Sequence, residues 1–322
     1  MIGSITAGLS RLGCVLLVLA GLGAEPLLAQ AVPPPSPDVE ARLAEFKTRV
    51  DELARGLAGE PGLNRLSPQQ RQATVEFVIG NMLFVAAHEM GHAVISELDL
   101  PVLGREEDAA DDFAILAALR IVVNTFSERV LAGATQGWFL SAQRDRKEGD
   151  QPNYYERHGL SEQRAYQIVC LMVGSDPLKF KALADEMKLP PDRRRSCGWD
   201  YDTATRSWQK VIAPHIRRPD QPKTQIEVIY GDAKGKLALF ARSFRAIRFL
   251  ELFADYASER YVWPAPVVME MRSCGEVGAR WTIPTRTLHI CYEMAKDFAE
   301  LYRDYGPHRA AFRPKPKPKR AS

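Results

Sequence analysis

The run His88-Glu89-Met90-Gly91-His92 sits inside a stretch, Thr74 to Leu98, that is apolar on nearly every face: Val75, Phe77, Val78, Ile79, Met82, Leu83, Phe84 and Val85. A helix without a polar face belongs in a protein interior, so the fold has to close around this segment. Its start is marked by Ser67-Pro68-Gln69-Gln70, an N-cap, a proline at the first helical position and a glutamine that completes a capping box. Two imidazoles and a carboxylate are costly to bury without partners. Residues four apart share a helix face, so His88 and His92 point the same way, at a separation one metal ion can bridge. Glu89 stands one residue round the helix, where it can take a proton from a water.

A metal that activates water keeps three protein ligands and one open position, so a third ligand must come from elsewhere. Metzincin spacing would need Gly at position 95 and His at position 98; Ile95 and Leu98 stand there, which excludes that arrangement. Past a loop around Pro101 and Gly104, the acidic run Glu106-Glu107-Asp108-Ala109-Ala110-Asp111-Asp112 opens a second predicted helix, Glu106 to about Asn124. Glu107 and Asp111 share a face at i, i+4. Glu107 can therefore reach the metal while Asp111 orients a histidine through its second ring nitrogen. Glu106 is the rival ligand. Two imidazoles and a carboxylate are a donor set for one Zn2+ per chain.

The 322-residue chain, 46% hydrophobic and 26% charged, has the balance of a globular protein. The net charge of +3 is misleading. Its last ten residues carry Arg313, Lys315, Lys317, Lys319 and Arg320 with no acid, which leaves the rest of the chain at −2 and excludes a nucleic-acid binder by charge. Apolar spacing predicts helices over Val39 to Leu57, Ser161 to Val173 and Leu237 to Tyr256, with another opening at Ser175-Asp176-Pro177 and a last one ending at Tyr305. Arg193 to Ile216 shows no clear period. Strands are predicted at Thr224 to Tyr230, Val267 to Ser273 and Thr287 to Tyr292, the last two joined as a hairpin through Pro284 and Thr285. The expected class is α+β, mainly helical, with a zincin-like active-site helix and a small β-hairpin or sheet. The expected organisation is a signal at 1–31, a linker and helix at 32–65, a core at 66–220, a C-terminal α/β part of the same unit at 221–306, and a disordered basic, proline-rich tail at 307–322.

Arg11, the apolar run Leu12 to Leu22 and the small-x-small site Ala29-Gln30-Ala31 read as an export signal cut after Ala31, which points to a periplasmic or secreted protein. The apolar run is short for a membrane span, so no integral membrane segment is expected in the mature chain. Cleavage would remove Cys14 and leave Cys170, Cys197, Cys274 and Cys291. Four cysteines permit three connectivities. Closeness in sequence favours Cys170 with Cys197 and Cys274 with Cys291, the second pair crossing the predicted hairpin, and the absence of C-x-x-C argues against a zinc site built from them.

H-E-x-x-H followed by E-x-x-A-D resembles the gluzincin metallopeptidases, including the CAAX-prenyl-protease and heat-shock membrane protease relatives, and implies that Glu107 is the third zinc ligand. The wider run is similar to an uncharacterised bacterial metallopeptidase family catalogued as a domain of unknown function. It comprises His88-Glu-Met-Gly-His-Ala-Val-Ile, Leu100-Pro-Val-Leu-Gly-Arg-Glu-Glu-Asp-Ala-Ala-Asp, Gln163-Arg164, Cys170, Gly174-Ser-Asp-Pro177 and Cys291-Tyr-Glu293, and the likeness extends from about residue 70 to 305. The membrane relatives' spanning helices are missing. The expectation is an exported zinc metallopeptidase acting on peptides or proteins, with Glu89 as its acid–base group. His158 and Tyr292 are the candidate oxyanion donors, with Tyr154, Tyr155 and His289 as further choices. The alternatives are a cell-envelope binding or scaffold protein with a structural or vestigial zinc site, and a zinc hydrolase of something other than a peptide.

Overall fold

The computed structural model describes residues 37–120 and 125–312, all within one compact unit. The expected export signal and the tail from residue 313 onward lie outside the described residues.

The order of elements is α1 (Pro37–Gly56), α2 (Pro68–Glu97), α3 (Glu106–Arg120), α4 (Thr125–Glu148), α5 (Ser161–Ser175), α6 (Lys181–Glu186), α7 (Pro191–Ile212), β1 (Ile226–Tyr230), α8 (Ala238–Ala246), α9 (Phe249–Arg260), β2 (Val267–Arg272), β3 (Ala279–Thr282), β4 (Thr287–Cys291), α10 (Tyr292–Tyr305) and α11 (Arg309–Phe312). The class is α+β and mainly helical, as expected from the sequence.

Helix α2 is the centre of the molecule. Ser67 caps it reciprocally: its hydroxyl accepts the Gln70 N–H at 3.2 Å while the Gln70 side chain accepts the Ser67 N–H at 2.9 Å. It is long and apolar enough to cross a membrane, yet 94% of its most apolar window is buried inside the protein, which makes it a core helix. Helices α1, α3, α4 and α10 pack around it. Gly91, inside the histidine motif, is what lets α3 come close: a β-carbon there would stand 3.0 Å from the Cα of Ala110. The acidic first turn of α3 is thereby brought against the two histidines.

The sheet has the order β1-β2-β4-β3, with β1 and β4 both parallel to β2, and β3 antiparallel to β4 at the edge. Val267, Met269 and Met271 of β2 point inward and their neighbours are only partly covered, the period of a sheet with one face on the core. This corrects the predicted hairpin. β2 and β4 are parallel neighbours, and the strand turning back on β4 is β3, a short segment around Trp281 that the alternation did not reveal. The turn residues Ile283–Thr285 do connect two strands, but those strands are β3 and β4.

Three helical expectations also change. Leu237 to Tyr256 is not one helix but α8 and α9, broken where Arg248 adopts a left-handed φ of 54°. Arg193 to Ile216 is mostly helix, as α7. Only Cys197, Ala204 and Ile212 of α7 are buried, too few to print an apolar stripe on the sequence. Asp176 begins a turn rather than a helix, accepting the N–H groups of Leu178 and Lys179 at 3.1 and 2.9 Å, and α6 starts at Lys181. Residues 309–312, assigned to the tail, form the single turn of α11.

Both favoured cystines are present. Cys170–Cys197 ties α5 to α7, and Cys274–Cys291 joins the chain just after β2 to the end of β4. Two disulfides are consistent with an extracellular or periplasmic protein.

Candidate metal centre

His88 and His92, one turn apart on α2, turn their Nε2 atoms to within 3.1 Å of each other. From the first turn of α3, the Glu107 Oε2 stands 3.2 Å from each. The three atoms form a nearly equilateral triangle, and all three residues are largely buried. Zinc bonds of about 2.0–2.1 Å at tetrahedral angles would space ligand atoms about 3.3 Å apart, so the triangle is the size that a single cation requires.

The hydrogen bonds on the far side of each ring say the same. His88 Nδ1 meets Asp111 Oδ1 at 2.7 Å, and His92 Nδ1 meets Glu106 Oε1 at 2.7 Å. A carboxylate accepts at each Nδ1, which leaves the Nε2 lone pairs facing one another and the Glu107 oxygen. Such a group of donors is repulsive unless a cation, or a proton, lies among them. Glu106, the rival ligand, thus takes the outer side of His92 and is not part of the triangle.

Asp111 is itself held. Arg164, on α5, donates from Nε to Oδ2 at 2.7 Å and from Nη2 to Oδ1 at 2.6 Å, and its guanidinium lies 3.8 Å from the centre of the Trp138 ring on α4. This bidentate pair on an aromatic platform fixes the carboxylate that fixes His88.

The charges follow from these contacts. Burial opposes protonation of His88, but the hydrogen bonds to Asp111 and Glu107 outweigh it and raise its pKa to about 9. His92 is raised as well: burial opposes, and Glu107 and Glu106 prevail. Burial would raise Glu107, but His158, His88 and His92 hold it far below the usual carboxylate range. Glu89 is pushed up, chiefly by burial. One of its oxygens accepts the main-chain N–H of Trp281 on β3 at 2.8 Å.

The remaining candidates separate. The loop between α4 and α5 brings His158 Nε2 to 2.8 Å from Glu107 Oε2, with Arg157 at 3.4 Å from the other oxygen. Tyr154 and Tyr155 of that loop face solvent. Tyr292 is buried at the start of α10 with its hydroxyl donating to the Gly231 carbonyl at 3.0 Å, and His289 bonds Glu270 across the sheet at 2.9 Å. Both are engaged away from the histidine pair. Cys274, Cys291 and Glu293 also lie together, but the sulfurs are joined to each other. Glu293 accepts the Ser273 hydroxyl and the N–H groups of Cys274 and Gly275, which makes it a turn cap.

Trp138 and Trp281 were not legible as site residues, and Arg164 appeared only within the family-like run. Trp281 is 192 residues from Glu89, and no local spacing encodes that contact.

Residues 62–212 match the model of the family DUF4344, described as "Putative metallopeptidase", an uncharacterised domain family. The matched stretch holds α2 to α7, and with them the histidine pair, Glu89, Glu107, Asp111, His158 and Arg164; the sheet lies beyond it. No curated protein and no solved structure matches the chain.

Proposed function

We propose that the protein is an exported, zinc-dependent metallopeptidase in which His88, His92 and Glu107 hold one Zn2+. The observation that carries this reading is the triangle of 3.1, 3.2 and 3.2 Å closed by ligand atoms from two helices. When bound, zinc acts as a Lewis acid that polarises a carbonyl and lowers the pKa of water to about 7.

The chain's own residues supply the rest. Glu89, raised by burial and anchored through one oxygen, has its second oxygen available to take the proton of the attacking water and to deliver it to the leaving amine. Asp111 and Glu106 keep both imidazoles in the tautomer that leaves Nε2 free. His158, half exposed above Glu107, is the better placed of the two oxyanion candidates, because the Tyr292 hydroxyl is already spent on Gly231. A structural zinc site is normally closed by four protein ligands. Three candidate ligands with a carboxylate beside them favour a site that works on water over a scaffold's metal staple.

Zinc quantification of wild type beside Glu89→Gln, coupled to unbiased peptide-library cleavage, tests the reading. Wild type should carry about one zinc and cleave peptides, and Glu89→Gln should keep the metal and lose turnover. A zinc-loaded wild type that cleaves nothing in the library would favour the envelope scaffold instead.

A further inference from the structure

The strand β3 lies outside the matched stretch 62–212, yet it touches the centre of the candidate site. Being the edge strand among the described residues, it has one row of main-chain groups with no strand partner there. One of these, the N–H of Trp281, donates to Glu89 Oε2 at 2.8 Å. The same residue is tied to α2 a second time, its indole Nε1 donating to the Ser96 hydroxyl at 2.7 Å. A third tie follows at the β3–β4 turn, where Arg286 meets the buried Glu97 carboxylate at 2.7 Å. Glu89, Ser96 and Glu97 all belong to the last three turns of α2, so these contacts hold β3 along the helix that bears the histidine pair.

A carboxylate two bonds from its Cβ rotates freely unless one oxygen is fixed, and a proton acceptor gains only when its free oxygen is aimed. We propose that Trp281 is a positioning residue for Glu89: its main-chain N–H fixes one carboxylate oxygen, leaving the other for the proton, and its indole bond to Ser96 keeps that N–H in place. This rests on Glu89 being the acid–base group. It adds that the catalytic unit requires the C-terminal sheet, since the partner of Glu89 comes from β3 and not from the matched stretch.

Amide hydrogen exchange in the zinc-loaded protein reads the contact without any substrate. The Trp281 N–H should be protected in wild type and exchange about tenfold faster or more in Glu89→Ala, whereas the Cys291 N–H, bonded to the Gly278 carbonyl at 3.1 Å, should not change. With a cleaved peptide in hand, Ser96→Ala and Trp281→Phe should each lower kcat about tenfold at unchanged KM and zinc content. The double variant should lose no more than the worse single one, because both remove one bond, and Ser96→Thr should restore kcat. A Trp281 N–H that exchanges as an open edge amide, or is indifferent to Glu89→Ala, overturns the proposal. So does a loss in Ser96→Ala that appears only as lower thermal stability. Inactive wild type with a protected Trp281 N–H would instead count against the peptidase reading alone.

Discussion

His88 and Arg164 share one carboxylate: Asp111 takes the imidazole Nδ1 at 2.7 Å and the guanidinium at 2.6 and 2.7 Å. The arginine does not reach the three ligand atoms, but it neutralises and orients the acid that orients the ring. Asp111→Asn should weaken zinc binding about 10–100-fold, and Arg164→Gln should follow it in direction. Arg164→Lys should fall short of wild type, since an ammonium cannot donate the parallel pair or stack on Trp138 as a planar cation does. Competition titration against a chromogenic chelator measures all three.

The raised basicity of the histidine pair fixes a sign for pH. In protein stripped of metal, the folded-state pKa of His88 is about 9, above the ordinary 6.5. Its proton then stabilises the fold fully below about pH 6.5, and that contribution is lost as pH rises through about 9. On the proposed reading, zinc has to displace that proton. Affinity should therefore climb steeply between pH 7 and 9, about tenfold per unit for each competing proton, and flatten above 9. Calorimetry in buffers of different ionisation enthalpy should register proton release at pH 7.5; release at pH 10 should be small.

Asp112, next to the site but facing Gln167, adds a pH dependence of the same sign at lower pH. Burial, opposed by the Gln167 hydrogen bond and reinforced by Asp111, Asp108 and Asp200, raises its pKa to about 7 from 3.8. A raised folded-state value means that stability present below about pH 4 is lost as pH rises through about 7. Asp112→Asn should thus stabilise the protein at pH 8 by about 1–3 kcal/mol and change little at pH 4. Thermal melts at the two pH values check this.

The parts of the site that were legible in the sequence are those carried by short spacing on one helix. His88 and His92 share a face by helical geometry, Ser67 and Gln70 cap each other three residues apart, and Glu107 and Asp111 stand four apart on α3. What could not be read is what tertiary packing decides. Sharing a face with Asp111 favours Glu107 over Glu106, but how closely Glu107 comes to the Nε2 atoms depends on the approach of α3 at Gly91. Helix α4 has no counterpart among the predicted elements: its buried face mixes Gly133, Ala134, Thr135 and Gly137 with larger residues, because it packs close against α2. The strand β3 is only four residues long and half-covered, so its alternation carried no signal. Closeness in sequence and the crossing of a hairpin both argue for pairing Cys274 with Cys291; the second reason fails, since they close the ends of parallel strands.

In the proposed site Glu107, and not its neighbour Glu106, completes the cation's protein shell. Zinc content and affinity of folded wild type, Glu107→Ala and Glu106→Ala, measured side by side with circular dichroism to verify folding, put this to the sharpest test. Wild type should hold about one zinc, Glu107→Ala should lose it, and Glu106→Ala should retain it with affinity lowered about 10–100-fold. Folded wild type without zinc affinity, or Glu107→Ala binding as tightly as wild type, would contradict it.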